Sequence, residues 1–95
     1  MTLLDFLMTH KHLDAAFNIN VYWMVNAEIC HRNIFDTCYS SKIYKSYTEM
    51  TFYELSPFLK HEVVYQTQGV HNGHEFFILS ISDDNHYKSF IRTLE

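Results

Sequence analysis

The chain has 95 residues, of which 47% are hydrophobic and 17% aromatic, and its formal net charge is −4 at pH 7. This length suits one folded domain, residues 1–95, and the apolar fraction excludes a disordered tail or linker. Acidic residues are scattered and no basic stripe is present, so we expect no sequence-specific nucleic-acid binding. The longest apolar runs fall far short of the ~20 residues that span a bilayer, so we expect no membrane segment.

A helix is predicted at the start of the chain. Thr2 is placed to cap it, and Asp5 stands three residues later, near the positive end of the helix dipole. We expect this helix to end near Thr9. From Phe17 to Val25 apolar and polar residues alternate, which predicts a strand with one apolar face.

Residues 27–39 fit two structures. As a helix, the segment would be capped by Asn26 and would carry a thin apolar stripe along one side. As a strand, it would fold back on residues 17–25 through Asn26-Ala27. We favour a strand from Glu28 to Phe35, because the preceding strand needs a partner.

A short helical turn with a break is predicted from Thr51 to Leu59. Thr51 and Glu54 have the spacing of a capping box. Pro57 follows so closely that the helix must stop or restart there.

The stretch from Glu62 to Ser82 gives the strongest structural signal, because two β-rich runs meet at Asn72-Gly73. This pair tolerates the positive φ angles of a two-residue type I′ turn. Counting outward from the turn gives the register, which pairs His71 with His74, Val70 with Glu75, Gly69 with Phe76 and Tyr65 with Ser80. The first strand is mixed in polarity and reads as half-buried or as an edge. The second is apolar on both faces, and its missing neighbour is best supplied by residues 17–25.

A final helix is predicted after Ser82 or Asp83, and its apolar face would comprise Tyr87, Phe90, Ile91 and Leu94. The predicted fold class is therefore α+β. It has a small antiparallel sheet of about four strands, with N-terminal and C-terminal helices covering one face.

The seven histidines of the chain suggest a metal site. The predicted register puts His71 and His74 opposite each other on one face, with Cα atoms about 5.5 Å apart. His10 or His12 would be the third ligand. A closed zinc site takes four ligands, so we expect no metal and no cofactor and keep this pair as a rival hypothesis.

Neither cysteine has a catalytic context. Cys30 and Cys38 do not form a CxxC pair, and no third group is placed to orient a nucleophile and its base. Free cysteines are most often buried in or near a core. We expect a non-enzymatic protein without a signal peptide, in a reduced cytoplasmic setting.

Residues 37–48, the tyrosine segment, contain no acidic residue and interleave three tyrosines with two lysines. This composition predicts a positive aromatic surface, suited to a partner's acidic groups or to exposed bases. The alternative is that the tyrosines cover the sheet and the lysines are solvated. The predicted partner-binding residues are Tyr39, Lys42, Tyr44, Lys45 and Tyr47.

The first two thirds of the chain have a recognisable layout. An opening MTLLDFL helix is followed by the strand INVYW, a second strand, a small turn from Tyr53-Glu54-Leu55 to Leu59, and closing strands. This layout resembles small accessory proteins of phages and mobile elements of Gram-positive bacteria. The resemblance implies a protein that binds and inhibits host machinery, such as a CRISPR effector, in the bacterial cytoplasm.

Three functional hypotheses follow. The leading one is a non-enzymatic inhibitor that occludes a surface of a host protein or nucleoprotein complex. The first rival is a small metal-binding or regulatory domain that uses His71 and His74. The second is a structural homodimer, built by an exposed sheet edge and the last helix.

Overall fold

A computed structural model describes residues 1–11, 14–37, 41–82 and 84. These residues form two α-helices, one 3₁₀ turn and four strands, which confirms the predicted α+β class. The elements are α1 (Leu3–His10), β1 (Ala16–Val25), β2 (Glu28–Asn33), the 3₁₀ turn Tyr47–Glu49, α2 (Phe52–Leu55), β3 (Glu62–His71) and β4 (His74–Ser82). The predicted C-terminal helix lies outside the described residues.

The four strands form one sheet in the order β2-β1-β4-β3. β1 and β2 form one antiparallel hairpin and β3 and β4 form another, but the inner strands β1 and β4 are parallel. The prediction of an antiparallel sheet is therefore wrong for the central pair. The turn and the pairing of its two flanking strands fix each hairpin locally, whereas the relative direction of the two hairpins depends on residues 34–61. This connection is long enough to cross over one face, as parallel strands require.

The predicted β3–β4 hairpin is confirmed. Asn72 and Gly73 both have positive φ, 52° and 78°. All four predicted cross-strand pairs occur, from His71 opposite His74 to Tyr65 opposite Ser80. Beyond that point a bulge between Val63 and Tyr65 shifts the register by one residue.

The ambiguous segment after Asn26 is a strand, as favoured from the sequence. β2 ends at Asn33, two residues before the predicted end, and Ile34 and Phe35 turn inward to the core. The turn residues Asn26 and Ala27 both have positive φ. This first hairpin therefore uses the same turn geometry as the second one.

The core lies on one face of the sheet, beneath α1. Phe17 of β1 and Phe77 of β4 are stacked with ring centroids 5.4 Å apart, and Phe6 of α1 meets Phe77 edge-on at 5.5 Å. The capping box predicted at the start of α1 is present, since the Asp5 amide donates to Thr2 Oγ1 and the Thr2 amide donates to Asp5 Oδ2, both at 3.2 Å. The other core side chains include Leu3, Leu7, Ile19, Ile34, Phe35, Leu55, Leu79 and Ile81.

Candidate functional site

The described part of the tyrosine segment is held against β1, beyond the point where β2 ends. The Phe17 amide donates to the Lys45 carbonyl at 2.8 Å, and the Lys45 amide donates to the Phe17 carbonyl at 3.0 Å. Lys45 therefore continues the sheet where β1 would otherwise have a free edge.

Both lysines of the segment are ion-paired. Lys42 pairs with Glu49, and Lys45 pairs with Glu54 while its Nζ lies 5.3 Å from the centre of the Phe35 ring. The hydrogen bond from Lys42 is the main reason that the pKa of Glu49 is lowered to about 2. Burial acts to raise the pKa of Glu54, but the hydrogen bonds from Lys45 and the helix cap outweigh it and lower the pKa. The segment's positive charge is thus balanced by carboxylates that follow it in the chain.

The two described tyrosines of the segment lie on opposite faces of the sheet. Tyr44 is half-buried and meets the Phe76 ring edge-on at 6.3 Å, on the face away from α1. Tyr47 is half-buried against the core beside α1. Tyr39 lies outside the described residues. The predicted partner-binding residues therefore do not form one surface, and their role in binding stays a prediction.

His71 and His74, the pair of the metal-site hypothesis, do not form a cluster with His10. His71 and His74 are opposite residues beside the turn and are both exposed. His10 lies with the core, where its Nδ1–H donates to the Phe6 carbonyl at 2.8 Å. His12 is outside the described residues. Within the residues that the structure describes, no three His, Cys, Asp or Glu side chains are grouped as metal ligands.

An open cavity of about 530 Å³ lies beside the Asn72-Gly73 turn, on the face away from α1. It is lined by Tyr44 and Phe76, whose rings are nearly perpendicular at 89°, and also by His71 and His74. The Phe76 ring lies so close to Gly69 that a Cβ added there would be 2.5 Å from a ring carbon. This cavity brings one predicted partner-binding residue beside the predicted histidine pair.

A second candidate site surrounds α2, where two aromatic side chains project into solvent. Phe52 is 76% exposed and Tyr53 is 88% exposed. Leu4 and Met8 on the outer face of α1 are each 42% exposed. We call Leu4, Met8, Tyr47, Phe52 and Tyr53 the Phe52 surface.

Phe52 lines two apolar hollows. The larger, of about 460 Å³, lies between α1 and α2 and is lined by Met8, Tyr47 and Met50 among others. The smaller, of about 370 Å³, is lined by Pro57 and Lys60 among others. Leu4 lines both hollows. The surface thus offers an exposed ring beside two hollows, which suits the apolar side chains of a protein partner.

Sequence reasoning identified the capping box at Thr51 but missed the surface that the box supports. The Thr51 hydroxyl accepts from the Glu54 amide at 3.2 Å, as predicted. Tyr53 is two residues from the buried Leu55, so helical phase predicts its exposure. Phe52 is three residues from Leu55, so the same phase predicts burial. Because the helix ends after a single turn, helical periodicity does not decide which of its side chains are buried. The exposure of Phe52 is therefore apparent only from the fold.

Comparison with protein families, curated proteins and solved structures finds no match to this chain. In the part of the chain that the structure describes, no helix has the length and apolar character needed to cross a bilayer.

Proposed function

We propose that the chain is a non-enzymatic protein-binding protein and that the Phe52 surface is its docking face. The observation that carries this proposal is the exposure of Phe52 and Tyr53, at 76% and 88%. Contiguous exposed apolar side chains on a small protein are typical of interaction sites. Aromatic side chains that fill a partner's pocket often carry much of the binding free energy.

The backbone beneath these rings is well anchored, which favours binding. The capping box at Thr51 holds the first turn of α2, and the ion pair between Lys45 and Glu54 ties α2 to the sheet. The side chains of this pair are only 16% and 19% exposed, so solvent screens it less than a surface pair. A fixed scaffold reduces the ordering cost when a partner binds.

Tyr47 connects the predicted partner-binding set with this surface. It lines the groove between α1 and α2 in which Phe52 also stands. In our proposal Tyr47 is a contact residue and Lys42, whose side chain is 55% exposed, is a secondary contact, whereas Lys45 supports the surface by holding α2 to the sheet.

The proposed partner is a protein or nucleoprotein complex of a bacterial host, in the cytoplasm, and binding occludes a functional surface of that partner. This choice follows from the resemblance to accessory proteins of phages and mobile elements. An apolar docking face on an acidic chain of net charge −4 favours a partner with an apolar patch and a basic rim.

Site-specific photo-cross-linking tests the docking face before the partner is known. A benzophenone amino acid at position 52 should cross-link to one bacterial protein in living cells. The matched control is position 25, since Val25 is 48% exposed at the far end of the β1–β2 hairpin. Equal cross-linking to the same proteins from both positions would remove the Phe52 surface from the proposal.

A further inference from the structure

Among the described residues, the outer edge of β3 is covered only at its beginning. Thr2 forms an antiparallel bridge with Glu62, and the Val63 amide donates to the Met1 carbonyl at 2.8 Å. From Tyr65 to His71, β3 pairs with β4 on one side and has no backbone partner on the other side among the described residues. Within the described part of the chain this stretch is therefore a free sheet edge, which we call the free edge.

The free edge lacks the charged residues and the proline that often keep sheet edges apart. Its sequence, YQTQGVH, contains no Lys, Arg, Asp, Glu or Pro, whereas natural edge strands commonly carry such residues to block pairing. The opposite edge, β2, is shorter and bears Glu28 and Arg32. Tyr65 and Val70 on the free edge are 54% and 68% exposed. The composition favours pairing with another strand.

We propose that a second copy of this chain pairs with the free edge, antiparallel, about a two-fold axis that passes Gln68. The segment at Met1 closes one end of the edge and the turn after His71 closes the other end. Gln68 is the midpoint of the range 65–71, so only this axis pairs every free residue.

The backbone geometry agrees with this register. In a hairpin with a two-residue turn, His71 and His74 form a hydrogen-bonded pair, and their N–H and C=O groups point toward each other. On β3, the residues one, three and five positions before His71 therefore direct their N–H and C=O groups outward, away from β4. Those residues are Val70, Gln68 and Gln66. The proposed axis places Gln68 opposite itself and Gln66 opposite the partner's Val70, which gives about six main-chain hydrogen bonds between the copies.

The side chains match in the same register. Tyr65 comes opposite the partner's His71, and the chain already contains such a cross-strand pair. Tyr22 and His31 are opposite residues of β1 and β2, and their rings stack with centroids 5.1 Å apart. A single strand pair buries less area than a permanent interface, so the dimer is reversible and depends on concentration. This inference is independent of the Phe52 surface.

Cysteine cross-linking tests the register directly. In a background with Cys30→Ser and Cys38→Ser, Gln68→Cys should form a disulfide-linked dimer under mild oxidation. Residues on the axis have Cα atoms about 5.5 Å apart, within the range of a disulfide. Gln66→Cys is the matched control, because the two copies of residue 66 lie four positions apart, about 13 Å. Equal linkage of the two variants, or linkage of neither, would overturn the proposed pairing.

Sedimentation equilibrium gives a second test without engineered cysteines. The parent mass should rise with concentration from 11.4 kDa toward twice that value. Gln68→Pro should stay monomeric and keep its melting temperature in dilute solution, because the lost N–H points away from β4. Gln68→Lys, which places like charges together on the axis, should also stay monomeric. A parent that remains a monomer at millimolar concentration refutes the dimer.

Discussion

The two hairpins of the sheet use the same turn with different residues. Asn26-Ala27 closes the first with φ angles of 50° and 66°, and Asn72-Gly73 closes the second with 52° and 78°. Glycine adopts these angles without penalty, whereas the Cβ of an alanine costs about 1–2 kcal/mol in this region. The pairing of β1 with β2 must therefore hold Ala27 in place. Strand pairing can impose a turn that the turn residues themselves do not favour.

Both glycines of the chain belong to the second hairpin, but they serve it in different ways. A Cβ added at Gly73 would meet nothing within 4 Å, so only its positive φ requires glycine. A Cβ added at Gly69 would be 2.5 Å from the Phe76 ring. The first glycine is needed for a backbone angle and the second for space.

Among the substitutions that test this comparison, Gly73→Val should lower the free energy of unfolding most. A β-branched side chain resists positive φ, and we expect a loss of about 2–3 kcal/mol in the free energy of unfolding. Urea denaturation measures it. Gly73→Asn is the control and should lose much less, because asparagine tolerates this region. Equal stability of parent and valine variant would show that the turn does not depend on glycine.

Gly69→Val should destabilise the chain by about 1–2 kcal/mol, because the Phe76 ring must move away from β3. The ring should also lose its contact with Tyr44, and the ring-current shifts of Tyr44 in NMR spectra should report this. Thr67→Val, on the same face of β3, is the matched control and should change little. A valine variant with parental Tyr44 shifts would mean that Phe76 does not lie over Gly69.

Ala27→Gly should stabilise the first hairpin by up to about 1 kcal/mol. The substitution removes the strain of a Cβ at positive φ, and the greater freedom of glycine in the unfolded chain offsets part of the gain. Thermal and urea unfolding measure the difference. A destabilised variant would argue that Ala27 is not strained.

His71→Ala combined with His74→Ala should have the smallest effect, within about 0.5 kcal/mol, because both side chains are exposed. Zinc titration by calorimetry should show no stoichiometric binding to the parent. A zinc signal that disappears in the double variant would revive the metal hypothesis.

The second hairpin and the helix caps could be predicted because their causes are local. Asn72-Gly73 sets its own register, and the pairs of Thr2 with Asp5 and Thr51 with Glu54 lie three residues apart. The parallel pairing of β1 with β4 could not be predicted, since it depends on how residues 34–61 cross the sheet.

The absence of acids from the tyrosine segment predicted a positive surface, and this prediction was misleading for a related reason. The acids that pair with Lys42 and Lys45 come from residues 49 and 54, outside the segment. The exposure of Phe52 likewise depends on which other parts of the chain pack against this one-turn helix. Both features depend on tertiary structure, and a pattern within a short segment does not contain them.

The most direct test of the proposed function is the affinity of Phe52→Ala for the protein that cross-links at position 52, measured together with its melting temperature. Phe52 is 76% exposed, so its truncation should leave the melting temperature unchanged. As a central contact it should weaken binding by about 2 kcal/mol or more, roughly 30-fold. Val25→Ala, as the exposed control, should bind like the parent. A Phe52→Ala variant that melts normally and binds with parental affinity would contradict the proposal that this surface docks the partner.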